Sequence, residues 1–277
     1  MKRAFVTGWP VRHSRSPMIH GHWLKAYGIN GSYEHAEVAP EDLEAFLRGC
    51  GADGFVGGNV TIPHKEAAFS LVEAADGEAA ALGAVNTVWL DGGRLHGANT
   101  DGLGFLANLD DGAPGWDERK SVSVILGAGG AARAVARSLG RRGFGAVVVA
   151  NRTAARAAAV AALAGEAGRA VGYDELWRWL PSADLVVNAT SLGMTGKDRL
   201  DVHLGELPGH AVVNDLVYVP LETELLAQAR ANGNRAVDGL GMLLHQAVPG
   251  FERWFGVRPK VTPELRALVE ADIAGQR

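Results

Sequence analysis

The sequence has a single cysteine, Cys50, among 277 residues, and it has no long apolar run. One cysteine excludes a disulfide within the chain and a metal cluster built from several thiolates. A membrane-spanning helix needs about 18 or more consecutive apolar residues, and the N-terminal residues also lack the apolar core of a secretion signal. We therefore expect a cytoplasmic protein without a membrane partner, in which Cys50 is a small buried side chain.

The chain also lacks an excess of charge of either sign. It has 27 Lys and Arg residues against 31 Asp and Glu residues, which are interspersed and give a formal net charge of −4. Nucleic-acid-binding surfaces concentrate basic residues, so this balance predicts no nucleic-acid partner. The histidines at positions 13, 20, 64 and 245 follow no ligand spacing, and we expect no metal site.

A glycine-rich turn between an apolar strand and an alanine-rich helix is the clearest motif. Residues 126–133 read LGAGGAAR and follow a β-branched run. The order strand, tight turn and helix directs free backbone N–H groups at a diphosphate, although an ordinary glycine turn is the alternative. Gly127 permits the turn, and Gly129 lets the backbone approach the phosphates. The dinucleotide-binding residues expected here are Gly127, Ala128, Gly129, Gly130 and Ala131.

The end of the next apolar run indicates which dinucleotide is bound. Residues 146–150 (AVVVA) lead into Asn151, Arg152 and Thr153. An NAD-binding fold usually carries Asp or Glu at this point to hold the ribose hydroxyls. Here no carboxylate is present, and the planar guanidinium of Arg152 suits a 2′-phosphate. We predict NADP as the cofactor; the alternative is that Arg152 is a solvated charge at a strand end.

In the first hundred residues, short apolar runs alternate with helical segments, which predicts a mostly parallel sheet covered by helices. Ligands in such sheets bind beyond the carboxyl ends of the strands. Lys65 stands in a first helical turn, where it opposes the helix dipole, and this favours a functional role. Each of the other polar residues could equally cap a helix or form a turn. We expect one edge of the sheet to gather Ser14, Thr61, Lys65, Asn86 and Asp101.

The predicted fold class is α/β with two domains. The first is a mostly parallel α/β substrate domain at residues 1–103, completed by C-terminal helices at residues 240–277 that return to it. The second is a Rossmann-type NADP-binding domain at residues 104–239, and the turn-rich segment 108–120 marks the change. Gln246 lies on an apolar helix face, where its amide needs a partner such as a ligand, unless it faces solvent.

Ordered motifs along nearly the whole chain resemble those of the NADP-dependent shikimate dehydrogenase family. In the first half they are GxPxxHSxSPxxH (residues 8–20), NVTIPxK (59–65), AVNT (84–87) and NTDGxGF (99–105). In the second half they are GAGGAAR (127–133), NRT (151–153), NATSLGM (188–194), DLVYxP (215–220) and GMLLHQA (241–247).

The resemblance implies reversible NADPH-dependent reduction of 3-dehydroshikimate to shikimate, in the synthesis of aromatic amino acids. It implies that Lys65 and Asp101 form the catalytic pair. The substrate carboxylate would be bound by Ser14 and Ser16 with help from Tyr218, and the ring hydroxyls by Thr61, Asn86, Asp101 and Gln246. The cofactor would contact Asn151, Arg152 and Thr153 at its 2′-phosphate, Thr190 and Met194 along its channel, and Gly239 near the nicotinamide.

Two residues depart from the family pattern. Gly21 occupies a position that is usually Asn, and His64 stands where an aromatic residue, usually Phe, precedes the lysine. Two alternatives remain at this point: a sister dehydrogenase that accepts quinate or an amino analogue, and a catalytically silent NADP-binding regulator. Retention of Lys65 and Asp101 argues against the regulator. Both a monomer and a homodimer are compatible with the sequence.

The substitution Arg152→Ala tests the cofactor prediction. Loss of a charge-assisted contact to the 2′-phosphate should raise the KM for NADP⁺ by about tenfold or more. The KM for NAD⁺, which lacks that phosphate, should stay unchanged. Equal losses with both cofactors would show that Arg152 does not recognise the 2′-phosphate.

Overall fold

The computed structural model describes residues 1–275, and the chain divides into two compact units. Unit 1 comprises Met1–Thr100 and the C-terminal segment that begins at Gln246. Unit 2 comprises Asp101–His245. None of the helices in the described residues has the length and apolar character needed to cross a membrane.

The first hundred residues form a six-stranded sheet in unit 1. Its strands are β1 (Lys2–Gly8), β2 (Gly31–Glu37), β3 (Phe55–Val60), β4 (Ala74–Ala75), β5 (Thr87–Asp91) and β6 (Arg94–Ala98). They lie in the order β2-β1-β3-β5-β6-β4. The intervening helices are α1 (Ser16–Ala26), α2 (Leu43–Gly49), α3 (Lys65–Leu71) and α4 (Gly77–Leu82), with a 3₁₀ turn at Pro40–Asp42.

The mostly parallel sheet that we predicted is present in unit 1, with one antiparallel insertion. β1 pairs in parallel with β2 and β3, and β4 with β6, whereas β5 is antiparallel to both β3 and β6. The β5–β6 hairpin turns at Gly92 and Gly93, both at positive φ. Gly57 allows β3 to approach β5, because a Cβ there would lie 2.2 Å from the Val88 carbonyl oxygen.

Unit 2 contains a second six-stranded sheet, and all of its strand pairs in the described residues are parallel. Its elements are α5 (Asp101–Gly112), β7 (Val122–Leu126), α6 (Gly130–Arg142), β8 (Ala146–Ala150), α7 (Ala154–Ala161), β9 (Gly168–Val171), β10 (Leu185–Asn188), β11 (Val212–Asp215), α8 (Glu224–Ala231), β12 (Arg235–Val237) and α9 (Leu240–Phe255). The strand order is β12-β11-β10-β7-β8-β9. This is the doubly wound Rossmann order, and its switch point lies between β7 and β10.

The last helix, α10 (Pro263–Gly275), and the later part of α9 belong to unit 1, as predicted for the C-terminal helices. Trp254 of α9 donates its indole N–H to the Val88 carbonyl at 2.9 Å. Trp23 of α1 donates to the Lys260 carbonyl just before α10, at 3.0 Å. The C-terminal segment therefore completes the helical cover of the first sheet.

His20 of α1 lies fully buried within an aromatic cluster of unit 1. Its ring stacks on Tyr33, with centroids 4.0 Å apart and an interplanar angle of 11°. Trp23, Phe251 and Trp254 surround the same ring. Burial lowers the pKa of His20 to about 3, and the nearby Asn59 offsets this only in part. The imidazole is therefore neutral at physiological pH and acts as a core side chain.

The substitution His20→Phe should make the protein less sensitive to acid. Below pH ~6.5 the histidine is protonated in the unfolded protein but stays neutral in the folded protein. This difference lowers the free energy of unfolding by up to about 1.4 kcal/mol per pH unit. Because folded His20 titrates only near 3, this loss extends through the range from pH ~6.5 down to ~3. Between pH 7 and pH 4.5, the variant should lose about 2–3 kcal/mol less than the wild type.

Urea unfolding at several pH values measures this difference. The matched control is His203→Phe, since the side chain of His203 is 83% exposed, in contrast to the buried His20. Parallel pH profiles of stability for wild type and His20→Phe would contradict the conclusion that His20 is neutral in the folded protein.

Candidate functional site

One edge of the unit 1 sheet carries most of the residues predicted for the substrate. β1 and β3 end at this edge, and antiparallel β5 begins there, since Asn59 pairs with Thr87 and Thr87 with Ala98. Ser14 follows β1, Thr61 and Lys65 follow β3, and Asn86 directly precedes β5. Their role in substrate binding stays a prediction. Asp101 follows Thr100 directly and is the first residue of α5, in unit 2. Its part in the site stays a prediction.

The turn that contains Ser14 and Ser16 presents two adjacent hydroxyls at the start of α1. Their Oγ atoms are 3.2 Å apart, and the Ser16 N–H donates to Ser14 Oγ at 3.3 Å. The Ser14 carbonyl is held by His35 Nε2 at 2.9 Å. The N-cap of α1 is Arg15, so Ser16 does not cap the helix. Two hydroxyls beside a helix N-terminus make a suitable site for a carboxylate.

Lys65 is the first residue of α3, and the turn before it is fixed by backbone bonds. The Thr61 N–H donates to the Thr7 carbonyl at 2.8 Å, and the Val85 N–H donates to the Lys65 carbonyl at 2.9 Å. His64 is buried, and its Nε2 lies 2.8 Å from the Val38 carbonyl oxygen. This histidine therefore fills a core position beside the lysine, as an aromatic residue would.

Asn86 and Gln246, both predicted to bind ring hydroxyls, lie next to each other. Asn86 Nδ2 is 3.5 Å from Gln246 Oε1. Thr100 joins them, because its N–H donates to Asn86 Oδ1 at 2.9 Å and its hydroxyl donates to the Gln246 carbonyl at 2.8 Å. Thr100 thus holds the side-chain amide of Asn86 and the backbone of Gln246.

Beneath these amides lies a buried hydrogen-bond chain that the sequence analysis did not find. The Tyr33 hydroxyl donates to Asn59 Oδ1 at 2.6 Å. Asn59 Nδ2 then donates to the Asn86 carbonyl at 3.1 Å and to Thr87 Oγ1 at 3.2 Å. Burial raises the pKa of Tyr33 well above its usual value, and hydrogen bonds with Ser16 and Asn59 offset this only in part. The Asn59 side chain thereby connects β2, β3 and β5.

In unit 2, the glycine turn lies at the switch point of the sheet. Gly127 has a φ of +100°, and a Cβ there would lie 2.5 Å from Thr190 Cγ2. Within the described chain, a Cβ at Gly129 or Gly130 would meet nothing within 4 Å. The backbone at the start of α6 is therefore accessible to a phosphate, and Thr190 packs directly against the turn.

The end of β8 carries one cation, Arg152, between two polar residues. Asn151, Arg152 and Thr153 follow the strand, and Asn151 Nδ2 donates to the Thr153 carbonyl at 3.1 Å. The pairing of Ala150 with Val171 brings Tyr173, after β9, beside Arg152. Burial raises the pKa of Tyr173, and the Arg152 charge lowers it less. Sequence reasoning missed Tyr173; only the pairing register reveals it.

The loops after β10 and β11 are tied together by buried polar groups. Asp215 accepts hydrogen bonds from Asn188 Nδ2 at 2.9 Å, the Val217 N–H at 3.0 Å and the Thr223 hydroxyl at 2.7 Å. Burial raises the Asp215 pKa despite these bonds. A Cβ at Gly239 would lie 2.2 Å from the Leu216 carbonyl oxygen. The other predicted residues on these loops are Thr190, Met194 and Tyr218.

Sequence models of known families cover most of the chain. The shikimate dehydrogenase substrate binding domain matches residues 6–88, the shikimate/quinate 5-dehydrogenase domain residues 116–195, and the shikimate 5′-dehydrogenase C-terminal domain residues 239–268. A shikimate dehydrogenase (NADP⁺) from Mesorhizobium japonicum is 57% identical over 98% of this chain and 97% of the relative. One from Azorhizobium caulinodans is 56% identical over 100% of this chain and 98% of the relative.

The chain belongs to the shikimate dehydrogenase family. Among solved members, shikimate 5-dehydrogenase from Thermus thermophilus in complex with NADP(H) and shikimate has a TM-score of 0.85 and 37% identity, and each chain is 99% covered. Quinate dehydrogenase from Corynebacterium glutamicum in complex with NAD has a TM-score of 0.89 and 33% identity, with 98% of this chain and 100% of that chain covered. Complexes with NAD and with NADP(H) are thus both known for proteins of this fold.

In this member of the shikimate dehydrogenase family, Asn59→Leu should destabilise the protein by about 2–4 kcal/mol. The substitution removes the three hydrogen bonds of the buried amide, with the Tyr33 hydroxyl, the Asn86 carbonyl and the Thr87 hydroxyl, and each is worth ~0.5–1.5 kcal/mol. Tyr33→Phe removes one bond of the same chain and should cost less, about 1–2 kcal/mol.

Urea unfolding measures both variants. Asn30→Leu is the matched control, because Asn30 is exposed and should tolerate the same change. An Asn59→Leu protein as stable as the wild type would exclude a structural role for the buried chain.

Proposed function

We propose that this protein is an NADP-dependent shikimate dehydrogenase. It reduces 3-dehydroshikimate reversibly to shikimate, a step in the synthesis of aromatic amino acids. The observation that carries the proposal is the gathering, at one edge of unit 1, of a hydroxyl pair, a lysine and two adjacent amides. Relatives that are more than half identical over nearly the full length, and are named for this reaction, support it.

The assignment of groups follows from their chemistry. The paired hydroxyls of Ser14 and Ser16 at the start of α1 bind the substrate carboxylate, with Tyr218 as a further donor. Thr61, Asn86 and Gln246 offer hydroxyl and amide groups that both donate and accept, which suits the hydroxyls of the substrate ring.

Lys65 and Asp101 are the proposed acid–base pair. During reduction, the Lys65 ammonium donates a proton to the oxygen on which negative charge develops, and during oxidation the neutral amine takes it back. The Asp101 carboxylate accepts a hydrogen bond from the same hydroxyl and orients it. We also propose two functional domains. The substrate domain comprises residues 1–103 and 240–277, and the cofactor domain comprises residues 104–239.

The residues of unit 2 fit NADP, which supplies the hydride when it is bound. The glycine turn and the accessible N-terminus of α6 are formed by Gly127, Ala128, Gly129, Gly130 and Ala131. Asn151, Arg152 and Thr153 would hold the 2′-phosphate, because a guanidinium binds phosphate where a carboxylate would repel it. Thr190, Met194 and Gly239 would line the remainder of the cofactor.

Quinate is the nearest competing substrate, since a quinate dehydrogenase shares the fold at 33% identity. The nearly full-length relatives at 57% and 56% identity favour shikimate instead. The expected partners are the small-molecule substrate and the cofactor, without nucleic acid or membrane. We expect a cytoplasmic enzyme that is a monomer or a homodimer.

The first experiment follows reduced-nicotinamide absorbance with purified protein in four parallel mixtures. Shikimate and quinate are each combined with NADP⁺ and with NAD⁺. We expect turnover chiefly with shikimate and NADP⁺. Faster turnover with quinate or NAD⁺ would overturn the substrate or cofactor assignment, and binding of NADP⁺ without any turnover would identify a silent regulator.

The substitution Lys65→Ala should lower kcat by a factor of about 10² or more while changing the KM for shikimate much less. The lysine contributes most where charge develops in the transition state, which explains the larger effect on kcat. Lys25→Ala, on the exposed part of α1, is the matched control and should retain full activity. An unchanged kcat in Lys65→Ala would remove this residue from the mechanism.

A further inference from the structure

Arg15 stands between the two serines proposed for the substrate carboxylate, yet its side chain is almost fully buried. The side chain is 8% exposed, and its Nε donates to Asp272 Oδ2 at 2.8 Å. The two residues are separated by 257 positions in the chain. Asp272 lies on α10, the last helix, and both residues belong to unit 1.

The position of Arg15 is electrostatically unfavourable without this partner. Arg15 is the N-cap of α1, and a cation at a helix N-terminus opposes the helix dipole. A guanidinium that is removed from water also needs a paired and hydrogen-bonded anion. The Asp272 carboxylate meets both needs, since it neutralises Arg15 and fixes its direction.

The same contact fixes the backbone on which the hydroxyls stand. Ser14 and Ser16 flank Arg15 directly, and their Oγ atoms are 3.2 Å apart. The Arg15 carbonyl accepts the N–H of Ile19 in the first turn of α1 at 3.1 Å. Near the other end of α1, the Tyr27 hydroxyl accepts the Lys260 N–H at 3.2 Å. The segment before α10 therefore holds α1 near its C-terminal end, and α10 itself holds α1 at its N-terminal end.

We propose that Asp272 is a positioning residue for the substrate carboxylate. Through Arg15, it holds the turn of Ser14 and Ser16 in the geometry that binds the carboxylate. This inference rests on the proposed function, because it requires a substrate with a carboxylate. Asp272 itself acts through Arg15 and does not touch the substrate.

The substitution Asp272→Asn tests this role. It should raise the KM for shikimate by about fivefold to twentyfold, with kcat and the KM for NADP⁺ unchanged within about twofold. Shikimate methyl ester serves as the second substrate, because it lacks the charged carboxylate. The preference of the wild type for shikimate over the ester should fall by the same factor in the variant. A merely structural defect would impair both substrates equally.

Two further variants make the test specific. Asp272→Glu keeps the negative charge and should restore part of the lost affinity. Glu270→Gln removes a carboxylate from the same helix, where it pairs with Arg266 at 2.7 Å on the surface, and should behave as the wild type.

Loss of the Asp272 charge beside the buried Arg15 guanidinium can prevent folding of Asp272→Asn. In that case the double variant Arg15→Leu with Asp272→Leu removes both charges together, and it should fold with a raised KM for shikimate. A wild-type KM in the double variant would overturn the proposal.

Kinetics of the wild type and of Asp272→Asn also distinguish a positioning role of Asp272 from direct binding of the carboxylate by Arg15. If Arg15 bound the carboxylate directly, release from its partner in Asp272→Asn would lower or preserve the KM for shikimate, which would overturn a positioning role. A wild-type enzyme that is active on shikimate, with an unaffected Asp272→Asn variant, would refute this inference alone. A wild-type enzyme without shikimate activity would instead refute the proposed function.

Discussion

The buried amide of Asn59 is the interaction on which one edge of unit 1 depends, the edge that carries the residues proposed for substrate binding. Its oxygen accepts from Tyr33 of β2, and its nitrogen donates to the carbonyl of Asn86 and the hydroxyl of Thr87 at the start of β5. Buried polar groups of this kind are costly when unpaired and rigid when fully paired. The backbone at Asn86 is therefore held rigidly by the Asn59 side chain. An enzyme that must orient a small polyhydroxylated ring needs such rigidity.

A close backbone approach has the same importance in unit 2. At the switch point of the sheet, Gly127 lies so near Thr190 that a side chain would not fit. This contact brings the loop after β10 against the glycine turn after β7, where the N-terminus of α6 is exposed. Both physical means occur in each unit, since Gly57 makes a close backbone approach in unit 1 and the buried Asp215 carboxylate accepts three hydrogen bonds in unit 2.

Much of this arrangement was predictable because it depends on local sequence order. An apolar strand followed by glycines and a helix predicts a dinucleotide turn, and Arg152 after the next strand predicts the phosphate that distinguishes NADP. The antiparallel β5–β6 hairpin was not predicted, although Gly92 and Gly93 are a hairpin signal. The structural role of His64 was not predicted either, because its partner is the carbonyl of Val38, which is distant in sequence.

The sequence by itself determined the alternation of strands and helices, the cofactor turn and the residue types at each strand end. These follow from hydrophobic periodicity and from the backbone requirements of glycine and proline, which act over a few residues. Only the tertiary structure decided which polar groups meet. Asn86 next to Gln246, Tyr173 beside Arg152, and Arg15 paired with Asp272 all join distant segments. Such contacts depend on strand register and helix packing, which no local pattern specifies.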